Sequence, residues 1–269
     1  MIAVDLAKGQ KVADLFDVIV LVNIHHANTM KKGIKHKIVP LLELKSFEGA
    51  PADEPFIIAG HGLKGILCAS GSTAATFKDG QDIEKGVASY VKLAIEDSLK
   101  KDLPIPNEFI VQSCYGAIGS SVVPSSGKKG TYPEMPSVVT ALAILLAKYG
   151  INNTTVKGYK GPAISARVLG KTFAISADPS TTNQLKATHN FAQIEQTVKG
   201  ISDIYKRSEA AASLTENFYN DFLQALKSEK LILDKSEGEM IQTATDGAKL
   251  LPPGYKTKTK ASIIAKKGA

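Results

Sequence analysis

The sequence predicts an α/β fold in which a mostly parallel sheet is covered by helices on both faces. Short apolar, β-branched runs without polar alternation stand at 17–22, 56–59 and 109–111, as strands buried on both faces require. Stretches with apolar residues at helical spacing lie between and after them. Gly- and Pro-rich breakers mark the joints, in the alternation that builds a parallel sheet.

Residues 17–22 (DVIVLV) read as the first buried strand. Residues 56–59 (FIIA) read as the second, opened by Pro55 and stopped by Gly60-His61-Gly62. Ile83, Val87, Val91, Ala94 and Ile95 recur on one helical face, so an amphipathic helix is predicted over 82–99. Pro104 and Pro106 break it, and the strand at 109–111 runs into Ser113-Cys114-Tyr115-Gly116. Residues 119–136 are too rich in Gly, Ser and Pro for regular structure, and exceed the roughly 12–15 residues of a plain loop. A buried helix over 137–148 ends at Gly150, and short strands follow at 154–156 and 171–175. From 191 to 231 the pattern turns helical, most clearly over the Ala-rich 208–226. The last 19 residues, with Pro252-Pro253-Gly254 and a lysine run, read as a flexible tail. The expected organisation is a core over 1–185, a helical extension packed on it over 186–250, and the tail over 251–269.

A chain of 269 residues with 43% hydrophobic and 22% charged residues has an ordinary globular composition. That excludes collagen-like, disulfide-scaffold and wholly disordered classes. The formal net charge of +7 is local: five lysines in 251–269 carry +5, leaving +2 for the rest. Only Arg167 and Arg207 are arginines, and lysine lacks the planar fork of bidentate base readout. Sequence-specific nucleic-acid binding is therefore not expected. No apolar run approaches the roughly 18 residues of a transmembrane helix. The start, MIAVD, lacks a basic segment followed by an apolar block, so no secretory signal is expected and the predicted location is cytoplasmic. Two cysteines, Cys68 and Cys114, make no disulfide framework and fit a reducing compartment.

In parallel sheets, functional groups gather at the carboxyl ends of strands. If the strands at 56–59 and 109–111 are neighbours, His61 and Cys114 emerge on the same edge. A thiol attacks carbonyls as thiolate, so it needs a base beside it. Imidazole titrates near neutrality and can later protonate a leaving amine. Flanking glycines allow close approach and free the Gly62 N–H to join the Cys114 N–H as oxyanion donors. Cys68 is expected to be buried filler, His25-His26 to line the cleft, and a metal site is not expected for want of a third nearby ligand. A rival reading is an α/β-hydrolase with Cys114, Asp178 and His189 in that chain order and Gly60-His61-Gly62 as oxyanion loop. Gln112 then stands where the nucleophile elbow needs glycine.

The stretch Gln112-Ser113-Cys114-Tyr115-Gly116, with a histidine 53 positions upstream, is similar to the caspase signature Q-A-C-[RQG]-G. It departs at Ser113 and Tyr115. Over roughly 15–180 the chain resembles the caspase-like (clan CD) cysteine peptidases, which include caspases, metacaspases, legumain, gingipain and self-cleaving toxin domains. The resemblance implies a caspase-like three-layer fold and a cysteine endopeptidase working through an acyl-enzyme. Cys114 is then the nucleophile, His61 the general base and acid, and Gly62 with Cys114 the oxyanion donors. Gln112 and Arg167 are the implied substrate-pocket residues. With Arg167 the one core arginine, a strict aspartate preference is not expected. Self-cleavage within 119–136 is implied by the position of the caspase linker. The implied partner is a polypeptide. No cofactor is implied beyond a polyanion activator such as an inositol phosphate, and the toxin domains leave delivery as a secreted effector open. A catalytically inactive caspase-like module that binds a partner is the non-enzymatic alternative.

Overall fold

Three apolar residues at the amino end, Ile2–Val4 (β1), pair on both sides and lie inside a sheet, next to its edge strand. The computed structural model describes residues 1–11, 37–51, 53–78, 82–119, 136–166, 171–176, 191–251 and 255–265. The strand expected at 17–22, the pair His25-His26 and nearly all of the 119–136 loop lie outside them.

Ile38–Pro40 (β2) and Phe56–Ala59 (β3) flank β1. Short strands follow at Gly62–Leu63 (β4), Ile66–Leu67 (β5) and Ser72–Thr73 (β6), which form a small antiparallel sheet. Thr76–Lys78 (β7) and Asp82–Lys85 (β8) pair as a hairpin, and Val87–Lys100 (α1) leads to Glu108–Gln112 (β9). Val138–Lys148 (α2), Thr155–Tyr159 (β10) and the hairpin Ala163–Ala166 (β11) and Lys171–Ala174 (β12) come next. Phe191–Lys199 (α3), Ile204–Ser228 (α4), Lys235–Gly238 (α5), Glu239–Thr243 (β13), Ala244–Ala248 (α6) and Lys260–Ala265 (α7) complete the described chain.

Among the described residues the principal sheet has six strands in the order β2-β1-β3-β9-β10-β13. The first five are parallel and β13 is antiparallel. This is the doubly wound order with a switch point between β1 and β3, extended by one reversed edge strand. Ala3, Phe56, Ile58, Phe109, Val111 and Val156 face the larger core with α1 and α2. Ile2, Val4, Ile57 and Ala59 form a second, equally buried face. Both sides of the central strands are therefore out of water, which explains their unbroken apolar sequences. Phe47, Phe56 and Phe109 meet edge to face with ring centroids 5.0–5.7 Å apart.

The helix α2 is buried on every side, as its near-continuous apolar sequence requires. Ser137 caps it by accepting from the Thr140 N–H at 3.0 Å. Gly150, at φ +64°, closes it while the Ile151 N–H donates to the Leu146 carbonyl.

The short strand expected at 171–175 is present as β12, paired with β11 in a hairpin outside the principal sheet. Three expectations need correction. The helix predicted from 82 begins at Val87, because residues 82–85 pair with β7. Gly86 separates the two at φ +97°, and a Cβ there would lie 2.5 Å from the Thr73 carbonyl oxygen. The extension over 186–250 is not wholly helical, since β13 forms the edge of the principal sheet. The lysine tail is docked over 255–265. The Lys258 N–H donates to the Lys148 carbonyl at 2.8 Å and Ile263 is buried in the main core. Lys148 and Lys258 sit over the rings of Tyr255 and Tyr149. Among the described residues, no helix is long and apolar enough to cross a membrane.

Candidate active site

The strands β3 and β9 are parallel neighbours, with Ala59 opposite Gln112. His61 and Cys114 each stand two residues past that pair, at the carboxyl edge of the sheet. The Gly60 N–H still donates to the Gln112 carbonyl at 3.3 Å, so the two strands run together almost to the candidate residues. His61 is exposed and Cys114 is half-buried. The structure thus brings to neighbouring strand ends the two side chains that the motifs single out.

Gly62 follows in β4. The Cys68 N–H donates to the His61 carbonyl at 2.8 Å, so Gly62 and Leu67 face each other as a non-hydrogen-bonded pair. The Gly62 N–H is therefore not taken up by β5. Behind it, the backbone packs on Ser113 and Cys114 so closely that a Cβ would meet Ser113 Oγ at 1.8 Å and the Cys114 carbonyl oxygen at 2.7 Å. Cys68 lies exposed in the turn after β5, not buried as expected. Partial burial, and then the Asp5 carboxylate, push its thiol pKa up and favour the less nucleophilic neutral form.

After Cys114 the chain turns sharply. Tyr115 has φ +55°, a conformation that an aromatic residue seldom adopts. It is held there because its N–H donates to the Gly161 carbonyl at 3.0 Å and its own carbonyl accepts from the Ile118 N–H. Ala117 donates to the Tyr159 carbonyl, tying the turn to the end of β10. The Ala163 N–H, at the head of β11, donates to Cys114 Sγ at 3.3 Å.

Gln112 is buried, and its amide nitrogen donates to Thr172 Oγ1 on β12. Thr172 also hydrogen-bonds the hydroxyl of Tyr159, whose pKa is pushed up by burial and by nearby Glu239. Arg167, the other expected pocket residue, lies outside the described residues. So do Asp178 and His189 of the rival triad.

Asp5, at the carboxyl end of β1, is a residue that sequence reasoning missed. It is wholly buried beside the switch point, and its Oδ2 accepts from the N–H groups of Ala69 and Ser70 at 3.0 and 3.4 Å. Its Oδ1 has no hydrogen-bond partner among the described residues, and a Cβ on Gly60 would lie 2.7 Å from Asp5 Cβ. An acid closing an apolar run, MIAV, was the available signal. Among the described residues, no three His, Cys, Asp or Glu side chains come together as a metal site.

The fold and the site define an α/β protein with a mostly parallel six-strand sheet and a cysteine and a histidine at neighbouring strand ends. Compared with known proteins, the chain matches no family model, no curated protein and no solved structure.

Proposed function

We propose that this chain is a caspase-like cysteine endopeptidase whose nucleophile is Cys114 and whose general base and acid is His61. The observation that carries the reading is their shared position, each two residues past the Ala59–Gln112 pair on adjacent parallel strands. In this reading Cys114 Sγ, as thiolate, attacks the scissile carbonyl carbon, and the oxyanion is met by the N–H groups of Gly62 and Cys114. His61 gives its proton to the departing amine, and a water deprotonated by His61 then releases the acyl group. The strained turn at Tyr115 fits a residue held for chemistry. Gln112 and Arg167 are the proposed pocket residues, and self-cleavage within 119–136 is part of the proposal. Two cysteines outside any disulfide suit a reducing setting.

The test is labelling by a thiol-alkylating peptide probe in wild type, Cys114→Ala, His61→Ala and His189→Ala. The dyad predicts loss of labelling with Cys114→Ala and His61→Ala, and none with His189→Ala. Loss with His189→Ala but not His61→Ala points to the hydrolase triad instead. A folded wild type that takes no label at all points to a binding module.

A further inference from the structure

We propose that the backbone N–H of Ala163 stabilises the Cys114 thiolate, and that Thr172 is the positioning residue that holds it there. This deepens the reading of Cys114 as nucleophile and rests on it. The Ala163 nitrogen lies 3.3 Å from Cys114 Sγ with its hydrogen directed at the sulfur. That hydrogen is spare within the hairpin. The Ile175 N–H donates to the Pro162 carbonyl at 3.0 Å, so Ala163 and Ala174 oppose each other as a non-hydrogen-bonded pair. The Ala163 N–H therefore faces away from β12, toward the cysteine.

The segment carrying this donor is fixed from several directions. The Lys160 N–H donates to the Gly238 carbonyl and the Gly161 carbonyl accepts from Tyr115. Gly161 presses so tightly on Ile175 that a Cβ would lie 2.6 Å from its carbonyl oxygen. The hairpin is then tied to the strand that bears the cysteine, because Gln112 donates to Thr172 and Thr172 reaches Tyr159. Ala163 and Thr172 thus stand on the two strands of one hairpin, one bonded to Cys114 and the other to the residue two places before it. A donor aimed at sulfur favours the charged form of the thiol, the form that reacts.

The experiment measures the pH midpoint of Cys114 alkylation by iodoacetamide, read by peptide mass spectrometry so that Cys68 is scored separately. Ala163→Pro removes the donor hydrogen at the first residue of a strand, where proline is tolerated. It is expected to raise the midpoint by about one pH unit, the scale of one charge-assisted hydrogen bond. The midpoint, not the rate at one pH, is the readout, since a more basic thiolate is also more nucleophilic. Thr172→Val is expected to raise it in the same direction, and Thr172→Ser to restore the wild-type value. An unchanged midpoint in folded Ala163→Pro overturns the donor. An unchanged midpoint in folded Thr172→Val overturns the positioning role.

Should either variant fail to fold, the wild-type chain decides. The Ala163 amide resonance should shift with pH along the alkylation midpoint and lose that shift in Cys114→Ala. An Ala163 amide indifferent to pH overturns the donor. Should Thr172→Val not fold, an alkylation midpoint in Thr172→Ala equal to wild type overturns the positioning role. Iodoacetamide needs neither His61 nor a peptide site, so failure of the peptidase reading shows separately, as absence of His61-dependent probe labelling.

Discussion

The backbone of Gly62 lies against the carbonyl of Cys114 so closely that the 62 position has no room for a methyl group, with 2.7 Å from an added Cβ to the oxygen. Gly62→Ala must move either the β4 end or the turn at Cys114. Such overpacking costs about 1–3 kcal/mol of stability. A displacement near 1 Å also costs roughly 100-fold in a positioned reaction. We expect peptide-probe labelling of Gly62→Ala to slow on that scale while urea denaturation still shows a folded protein. Labelling at the wild-type rate would remove the close contact from the account.

Asp5 holds two backbone N–H groups of the turn at Ala69 and Ser70. Asp5→Ala leaves both without their acceptor, at a cost of about 1–3 kcal/mol. Hydrogen exchange at Ala69 and Ser70 should accelerate relative to wild type. The same change removes one of the two influences that push the Cys68 thiol up, so Cys68 alkylation near neutral pH should become faster. A slower Cys68 would contradict the sign.

The docked tail predicts a separation of stability from reactivity. Ile263 is buried against the helical face, and the Lys258 N–H bonds Lys148 at the end of α2 remote from Ser137 and the Cys114 turn. Ile263→Ala should cost about 2 kcal/mol in denaturant unfolding. Its rate of Cys114 labelling, measured well below the transition, should equal that of wild type.

Asp246 closes a capping box at the start of α6. It accepts from the Thr243 N–H at 2.9 Å, while the Asp246 N–H donates to Thr243 Oγ1. The Thr243 backbone, and then Lys249, hold its carboxyl below the ordinary carboxylate range. A depressed pKa stabilises the folded state fully above the unfolded value and is lost as pH falls through the folded one. Asp246→Asn should therefore have a lower urea midpoint than wild type at pH 7, and the two midpoints should converge as acid protonates the folded-state carboxyl.

Legibility in the sequence followed element length and burial. The strand at Phe56–Ala59, the strand at Phe109 and the buried helix after Ser137 stand out because apolar runs meet clear breakers. Those same breakers locate His61 and Cys114. β1 is three residues long and β4 to β6 two each, too short for any period to register. Ile83 fits the spacing of Val87 and Val91, so β8 is mistaken for the first turn of α1 unless Gly86 is weighed as a break. β13 (EMIQT) is a half-exposed edge strand without a strong apolar signal. Asp5, Thr172 and Ala163 acquire their roles from partners 49 to 64 residues away, and Ala163 does so through a backbone N–H that carries no residue-type signature.

The principal sheet joins residues from both sides of 120–135. β1, β3 and β9 precede that stretch, whereas β10 and β13 follow it. The seam between them carries the β9–β10 ladder, and the Thr155 N–H and Ala117 N–H add bonds to Asn107 and Tyr159 across it. Severing the chain within 120–135 should therefore yield two polypeptides on a denaturing gel and one particle with unchanged elution on a sizing column. Processing of this protein, where it occurs, is an event that mass spectrometry registers and hydrodynamics does not.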